Sequence, residues 1–229
     1  MSVVRSGMPR RPRARQRCWR SSGDGSVREG PIDYDERFAV GEGTNGAPYS
    51  IERTWLLLPT GRIVATDPLA YDDDPAPFVQ AVPPGRYRVD LLVKGRHIAA
   101  ARLVIRDESA ASWEGALPEG SLEDSDAEVV GYDVNAGAGC FTDEQTFQQL
   151  SEEPDPNWQL TLLEDLAWMR DGPTVIPRSE VDGCSGDEGD ENVLVAFPSG
   201  EGDGTYRTWV GRTGRGEITC FVTDFLLQD

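Results

Sequence analysis

The sequence predicts a mainly β fold of the α+β class, in which antiparallel hairpins and a C-terminal meander form a folded β core. Turn signals rich in Pro and Gly recur at short intervals, and apolar and polar residues alternate between them. Helical spacing of apolar residues occurs around residues 143–170. We therefore expect a single-layer antiparallel core folded onto itself, with two short helices packed against it.

The first half of the chain is expected to consist of hairpins. Thr54–Leu58 and Arg62–Thr66 flank Pro59-Thr60-Gly61, in which Pro fixes φ and Gly accepts a positive φ, so these runs predict a hairpin. Similar turns separate three further predicted strands, which are Phe78–Val82, Arg86–Val93 and His97–Ile105. Because Arg88 and Asp90 alternate with apolar residues, one face of the second of these strands is expected to lie mostly in water.

The second half combines strands with the two helical patterns. A predicted strand, Val129–Val134, and a Gly-rich turn precede Thr142-Asp143-Glu144-Gln145, which has the pattern of a capping box. In such a box the Thr142 hydroxyl accepts from the backbone N–H three residues later. A short helix is predicted to Leu150 and a second one after Asn157. Three strands are expected to close the fold as a meander, at 193–197, 205–210 and 217–225.

Charge divides the chain into two parts. Residues 1–30 carry eight Arg and two acids, a formal charge of +6, and little apolar sequence, which predicts a disordered basic head. An alternative interpretation of this head is a nucleic-acid-binding arm. Residues 31–229 carry 14 basic and 38 acidic side chains, a charge of −24, and are expected to form one domain with an internal boundary near 118–128. Such an acidic body repels nucleic acid and anionic lipid, and it favours a basic protein partner.

Composition also limits the kinds of site. The longest apolar run is Val193–Phe197, whereas a membrane span needs about 20 residues, so no membrane partner is expected. The four Cys have no regular spacing, which predicts neither a zinc site nor a disulfide framework but reduced thiols in the cytoplasm. No ordered ligand pattern indicates a metal or a cofactor.

Five residues are the candidates for a functional site. The chain has one histidine, His97, so most nucleophile devices lack a base. Cys140 lies between a Gly-rich turn and a helix start, where a thiolate is favoured; the alternative is a small buried core residue. Carboxylates near turns can act as acids or bases or can bond their own backbone. The candidates are Asp133, Cys140 and Asp143 for catalysis, and Asp203 and Tyr206 for ligand binding.

Several segments together resemble a known family. They are Gly61–Pro68, Val82–Tyr87, Gly131–Asp143, Val195–Tyr206 and Thr223–Phe225. In matching order over about residues 45–227, they are similar to the bacterial DUF4241 family. The resemblance implies a cytoplasmic bacterial protein without an assigned activity, and it supplies no catalytic residues. Glu201 stands where the family often has Trp, and Arg207 where Pro is common, which puts a ligand role of this turn in doubt.

Two functions remain as hypotheses. The first is a non-enzymatic binding protein whose acidic face engages a basic protein, with an immunity-type role fitting by analogy. The second is a small hydrolase that uses the Asp and Cys candidates in a cleft between the turns at 131–143 and 199–206. If the two turns are adjacent, the second hypothesis gains support, and if they lie at opposite ends it fails in this form.

Overall fold

The architecture is that of a computed structural model of the chain. It describes residues 33–39, 49–69, 75–95, 97–121, 131–152, 162, 164, 174–177, 191–200 and 202–225. These residues fall within one compact unit, Ile32–Asp229. The predicted basic head, most of the predicted boundary near 118–128 and nearly all of the second predicted helix lie outside the described residues.

The described residues form two helices and twelve strands. In chain order these are α1 (Tyr34–Phe38), β1 (Tyr49–Leu58), β2 (Ile63–Thr66), β3 (Gly85–Lys94), β4 (His97–Val104), β5 (Ser112–Gly115), β6 (Tyr132–Val134), β7 (Ala138–Asp143), α2 (Glu144–Glu152), β8 (Thr174–Pro177), β9 (Asn192–Pro198), β10 (Gly204–Tyr206), β11 (Thr208–Arg212) and β12 (Ile218–Asp224).

The strands form two larger sheets and a short ribbon. The six-stranded sheet has the order β1-β3-β4-β12-β11-β5, the four-stranded sheet has the order β2-β7-β9-β8, and β10 pairs with β6. The pairs described between these strands are antiparallel. The predicted mainly β fold class with short helices is therefore confirmed, although the strands divide between sheets and do not form the single layer that was expected.

The main core lies between the two larger sheets. Alternate residues of β1 and β3, such as Leu56 and Leu91, pack in one cluster with Phe141 of β7 and Phe197 of β9. The rings of Phe141 and Phe197 meet edge to face at 5.4 Å. Since side chains of both large sheets meet in this cluster, burial of this shared face holds the two sheets together.

The outer face of each large sheet is covered by a helix. Tyr34 and Phe38 of α1 pack on the six-stranded sheet, in a cluster that includes Val222. Leu150 of α2 packs with Cys140 of the four-stranded sheet. The expectation that the face of β3 that carries Asp90 lies mostly in water is wrong, because the Asp90 side chain is fully buried.

The hairpin predicted around Pro59-Thr60-Gly61 is also wrong. β1 pairs with β3 and β2 pairs with β7, so the chain crosses between the sheets at this turn. Gly61 has a φ of +76°, and a Cβ there would overlap the carbonyl oxygen of Val82. The N–H of Val82 donates to the Gly61 carbonyl at 3.0 Å. The turn therefore contacts the segment before β3 and does not close a hairpin between β1 and β2.

The other predicted strands are confirmed only in part. The hairpin of β3 and β4 is confirmed, with Lys94 opposite His97. The predicted strand 78–82 is reduced to an isolated bridge between Phe78 and Pro118. Of the last three predicted strands, 193–197 and 217–225 are present as β9 and β12, whereas 205–210 is divided between β10, which pairs with β6, and β11, so the three do not form one meander. The first, β9, lies in the four-stranded sheet, and β11 and β12 pair in the six-stranded sheet.

The two helices also differ in part from the prediction. The first predicted helix is present as α2, but its cap is Asp143, whose carboxylate accepts from the Gln145 N–H at 3.1 Å. The Thr142 hydroxyl donates to the Val193 carbonyl instead. Helix α1 was not predicted, because five residues are too few to show a helical period. Among the described residues, no helix is long and apolar enough to span a membrane.

Candidate functional site

Two Gly-rich turns lie side by side at one end of the four-stranded sheet. Residues 131–137 and 199–206, without residue 201, are called the turn cluster here. Asp133 lies opposite Thr205 in the pairing of β6 with β10. The N–H of Ser199 donates to the carbonyl of Gly137 at 3.0 Å. A Cβ at Gly131 would overlap the Tyr206 carbonyl, so the close approach of these chains requires glycine.

A buried carboxylate shapes the first of the two turns. Asp67, which follows β2 and is fully buried, accepts from the N–H groups of Asn135 and Ala136, both at 2.8 Å, and from that of Leu69. Asp203 accepts from the next amide, Gly137, at 3.1 Å. Two Asp side chains therefore satisfy three successive backbone donors, which fixes the turn.

Three of the candidate residues meet in the turn cluster. Asp133 is exposed and accepts from the Thr205 hydroxyl, and Asp203 is also exposed. Tyr206 is buried, and its hydroxyl donates to the Gly202 carbonyl at 2.7 Å. Each of the three contributes to the shape of the turns, and the two exposed carboxylates face solvent.

His97, the first residue of β4 in the six-stranded sheet, lies next to the turn cluster. Its Nδ1 is 3.2 Å from the carbonyl oxygen of Gly200. The ring is exposed, and the contact joins the β3–β4 hairpin to the second turn. Among the described residues, no hydrogen bond joins this ring to a side chain that could serve as a nucleophile.

Cys140 lies outside the turn cluster. Its side chain is fully buried on the outer face of β7, in the cluster that includes Leu150 and Leu194. Burial, with a smaller contribution from Asp67, raises the pKa of the Cys140 thiol well above its usual range. A thiol in this environment is a weak nucleophile at neutral pH.

Asp143 lies at the far end of β7, about 20 Å along the strand from Gly137 at about 3.4 Å per residue. Its fully buried carboxylate accepts from the N–H groups of Thr60 and Gly61, both at 3.0 Å, and from the Thr60 hydroxyl at 2.8 Å. It also caps α2. Asp143 thus joins the crossing turn to the helix, and the structure does not bring it to the other candidates.

The turn cluster belongs to an acidic half of the molecule. Described residues between 131 and 206 include seven carboxylates and neither Lys nor Arg, whereas those between 49 and 106 include seven basic and three acidic side chains. Four of the acids in the first group are exposed, at Asp133, Glu152, Glu164 and Asp203. Within the described part of the chain, no group of three or more His, Cys, Asp or Glu side chains could hold a metal ion.

Sequence reasoning missed a second polar centre, on the six-stranded sheet. The buried carboxylate of Asp90 contacts Arg53 at 3.3 Å and both Arg88 and Arg102 at 2.9 Å. The available signal was an acid in the middle of a strand with Arg two residues before it and Arg on the neighbouring strand. That pattern is also typical of a solvated face, so the sequence alone does not distinguish the two.

Comparisons with known proteins identify a family but no individual relative. Residues 56–223 match the model of a family described as a protein of unknown function, DUF4241. Searches of curated proteins and of solved structures gave no match. The match spans both sheets and the turn cluster.

Proposed function

The chain belongs to the DUF4241 family, and within that frame we propose that it is a non-enzymatic binding protein that engages a basic protein through its acidic half. The observation that carries this proposal is the concentration of carboxylates, without Lys or Arg, among the described residues between 131 and 206. Neutralisation of a basic toxin is one function of this kind, and the bacterial cytoplasm is the compartment we propose. The free thiols Cys140 and Cys220 agree with a reducing compartment.

The acidic surface has the properties of a docking surface for a cation-rich partner. Glu152 is exposed at the end of α2, and Asp133 and Asp203 are exposed at the turn cluster. The described residues between 131 and 206 include no Lys or Arg that would neutralise these carboxylates. Electrostatic complementarity of this type raises association rates and excludes acidic competitors.

The predicted catalytic carboxylates support binding more than catalysis. Asp143 is occupied by backbone amides and by a hydroxyl, and Asp133 by the Thr205 hydroxyl. Both carboxylates stabilise turns in this way, and the exposed Asp133 becomes part of a rigid surface. A rigid surface loses little conformational entropy on binding.

The test compares two pairs of isosteric substitutions. Glu152→Gln with Glu164→Gln removes two of the four exposed charges of the acidic half, and Glu36→Gln with Glu108→Gln removes the same charge from exposed positions elsewhere. The probe is a fluorescent oligo-arginine peptide, followed by anisotropy over a range of salt concentrations. We expect the first pair to weaken binding about 5-fold at low salt and the second pair to leave it within about 2-fold.

Two outcomes would contradict the proposal. If both pairs weaken binding equally, the peptide responds to net charge and not to the acidic half. If the unmodified protein binds an uncharged peptide of the same length equally well, charge does not drive the association at all.

A small hydrolase is the second candidate function. The adjacency of the two turns favours it, because this adjacency places Asp133, Asp203 and Tyr206 in one cluster. The nucleophile in this hypothesis is Cys140, which lies buried outside the turn cluster, and alkylation by iodoacetamide at neutral pH, read by mass spectrometry of each peptide, tests whether it is reactive. We expect Cys140 in the folded protein to react at least about 100-fold more slowly than in the unfolded chain. Rapid alkylation would favour the hydrolase.

A further inference from the structure

Among the described residues, β1 is the one long strand at an edge of the two large sheets. It has ten residues, and all ten pair with β3 without a register shift. The other edge strands, β2, β5 and β8, have four residues each. On the second side of β1, no described strand is paired. Short edge strands are a common protection against pairing with other chains, so β1 is the described edge best suited to such pairing.

Backbone hydrogen bonds show which residues of β1 face this open side. The N–H of Ile105 donates to the Thr219 carbonyl at 2.8 Å, and that of Phe225 donates to the Ala99 carbonyl at 3.2 Å. Odd-numbered residues along β4 therefore bond β12 and even-numbered ones bond β3, because alternate residues of a strand face opposite neighbours. The same alternation, carried through the pairing of β4 with β3 and of β3 with β1, assigns the even-numbered residues of β1 to β3. The odd-numbered residues of β1 direct their N–H and C=O groups to the open side.

The outward groups of β1 are open over its first half. Within the described part of the chain, the N–H and C=O groups of Ile51 and Arg53 have no hydrogen-bond partner. The Trp55 carbonyl is the next outward acceptor, and it accepts from the Nδ2 of Asn192 at 3.1 Å. This contact agrees with the assigned direction and marks the end of the open part. An open row of backbone donors and acceptors is a template for an added strand.

Aromatic and basic side chains lie beside the open edge, on the outer face of the sheet. Trp55 is 45 % exposed, and the Arg53 side chain is 57 % exposed. The Arg86 guanidinium carbon lies 5.1 Å from the centre of the Trp55 ring, and the Lys94 Nζ lies 5.6 Å from the centre of the Tyr49 ring. This face therefore offers apolar area next to positive charge.

The charge on this face favours an acidic side chain opposite Arg53. The basic side chains of β1 and β3 on this face are Arg53, Arg86, Arg88 and Lys94. The carboxylate of these two strands on the same face is Asp90, which is buried and contacts three guanidiniums, with Arg53 the most distant at 3.3 Å. Asp107, which pairs with Arg88, is 92 % exposed, and Glu52 lies on the opposite face of β1. Arg53 therefore retains the capacity to bind a second carboxylate at the open edge.

A second copy of β1 is a poor occupant of this edge. Antiparallel pairing of two copies about a two-fold axis at Glu52 places the two Glu52 side chains opposite each other, and an axis at Arg53 does the same for arginine. Like charges directly opposite each other destabilise strand pairing. Charge complementarity therefore favours a different chain, with an acidic residue at this point.

We propose that the open edge of β1 binds an extended segment of a partner protein as an added antiparallel strand. The backbone groups of Ile51 and Arg53 exchange hydrogen bonds with the segment. An acidic residue of the segment lies opposite Arg53, and apolar residues two positions before and after it contact Ile51 and Trp55. This surface belongs to the six-stranded sheet, so it is separate from the acidic half on which the proposed function rests.

The probe is a fluorescein-labelled peptide, Thr-Val-Thr-Glu-Thr-Val-Thr, whose anisotropy is followed with the full chain at about 0.15 M salt. At this ionic strength charges are screened beyond about 8 Å, so the acidic half repels the single carboxylate only weakly. N-methylation of Glu and of both Val removes the donors that face β1, whereas N-methylation of the last three Thr removes donors that face away. We expect the first change to weaken binding at least about 10-fold and the second to leave it within about 2-fold.

Arg53→Gln tests the charge. It is expected to weaken binding of the Glu peptide about 5-fold and to leave unchanged the binding of a peptide with Gln in place of Glu. Arg215→Gln, at an exposed position in the β11–β12 turn, is the matched control and should bind both peptides as the unmodified protein does. Amide hydrogen exchange at Ile51 and Arg53 should be fast in the free protein and at least about 10-fold slower with saturating peptide.

The proposal is overturned if the Glu peptide does not bind, or if the two N-methylated peptides bind equally. It is also overturned if the amides of Ile51 and Arg53 exchange slowly in the free protein, because the edge is then covered by another part of the chain or by a second copy. Sedimentation velocity distinguishes these two cases, since only a second copy changes the mass. Circular dichroism verifies that Arg53→Gln folds, and the N-methylated peptides test the unmodified protein if it does not.

Discussion

Asp90 in the six-stranded sheet and Asp143 in the four-stranded sheet are both fully buried, yet they are compensated by different kinds of group. Asp90 is held by arginine side chains, and Asp143 by backbone N–H groups and one hydroxyl. Asp67 resembles Asp143, since its partners are also backbone amides. Burial alone therefore does not tell what a carboxylate does in this fold.

The difference has a structural consequence. A side-chain partner can be exchanged for another side chain, whereas a backbone amide cannot be removed without changing the path of the chain. Asp143 and Asp67 therefore determine where the chain turns, at the crossing between the sheets and in the turn cluster. Asp90 lies opposite Arg102 in the regular pairing of β3 with β4, so its side chain does not determine the path of β3.

The largest effect is expected for Asp143→Ala. The substitution leaves the amides of Thr60 and Gly61 and one amide of α2 without their acceptor, and each such loss costs about 1 to 3 kcal/mol when buried. We expect the free energy of unfolding to fall by about 4 kcal/mol in urea denaturation. Asp143→Asn keeps one acceptor oxygen and should cost about half as much; an equal loss in both variants would show that charge, and not the bonds to the amides, is what matters.

The next effect is expected for Asp90→Leu, which leaves buried arginine charge unpaired. Loss of one partner of a buried ion pair costs about 3 kcal/mol or more, whereas replacement of both partners by apolar residues is often neutral. Arg102 is the least exposed of the three arginines that contact Asp90, so we expect Asp90→Leu with Arg102→Leu to recover part of the stability lost in the single variant, while Arg88 still lacks its contact with Asp90. If the double variant is less stable than Asp90→Leu, then Arg102 contributes more to packing than to the pairing of charge.

Gly61→Ala examines the crossing turn itself. Its Cβ would overlap the Val82 carbonyl, and its φ of +76° is unfavourable for other residues, so we expect a loss of about 3 kcal/mol. Gly95→Ala is the matched control, with a φ of +64° but open space around the position, and should cost about 1 kcal/mol. Equal losses in thermal unfolding would mean that backbone conformation, and not the close approach to Val82, makes Gly61 necessary.

Local patterns in the sequence predicted the strands better than their partners. The alternation in 86–93 and the turn at Gly95 are local features, and the hairpin of β3 and β4 follows from them. The hairpin around Pro59-Thr60-Gly61 was predicted by the same logic and is wrong. Its turn is bound by Asp143, more than 80 residues away in the sequence. A local pattern cannot contain that information.

The same limit applies to the candidate site. The turns that carry Asp133 and Asp203 lie side by side because β6 pairs with β10. No residue spacing in the sequence indicates that these two strands pair. The position of Cys140 depends on which face of β7 meets α2, and every residue of β7 is buried, so no alternation indicated it. The polar centre at Asp90 was missed because an Arg-Asp alternation is also typical of a wet strand face.

Each sheet also buries a thiol beneath its helix, and the smallest effect concerns this pair. Burial raises the pKa of Cys220, under α1, to about 11, with the Thr219 hydroxyl and Arg102 acting in the opposite direction, and it raises the pKa of Cys140 well above its usual range. In the unfolded chain a thiol ionises at about pH 8.5. Stability from the protonated folded thiol is therefore complete below that pH and is lost as the pH rises through the folded pKa. Cys220→Ala removes this dependence for one group, so the difference in unfolding free energy between the unmodified protein and the variant should shrink by about 2 kcal/mol between about pH 8 and pH 10 in urea titrations. A difference that stays constant over this range would mean that Cys220 ionises equally in the folded and unfolded chain, and that α1 does not exclude water from it as α2 does from Cys140.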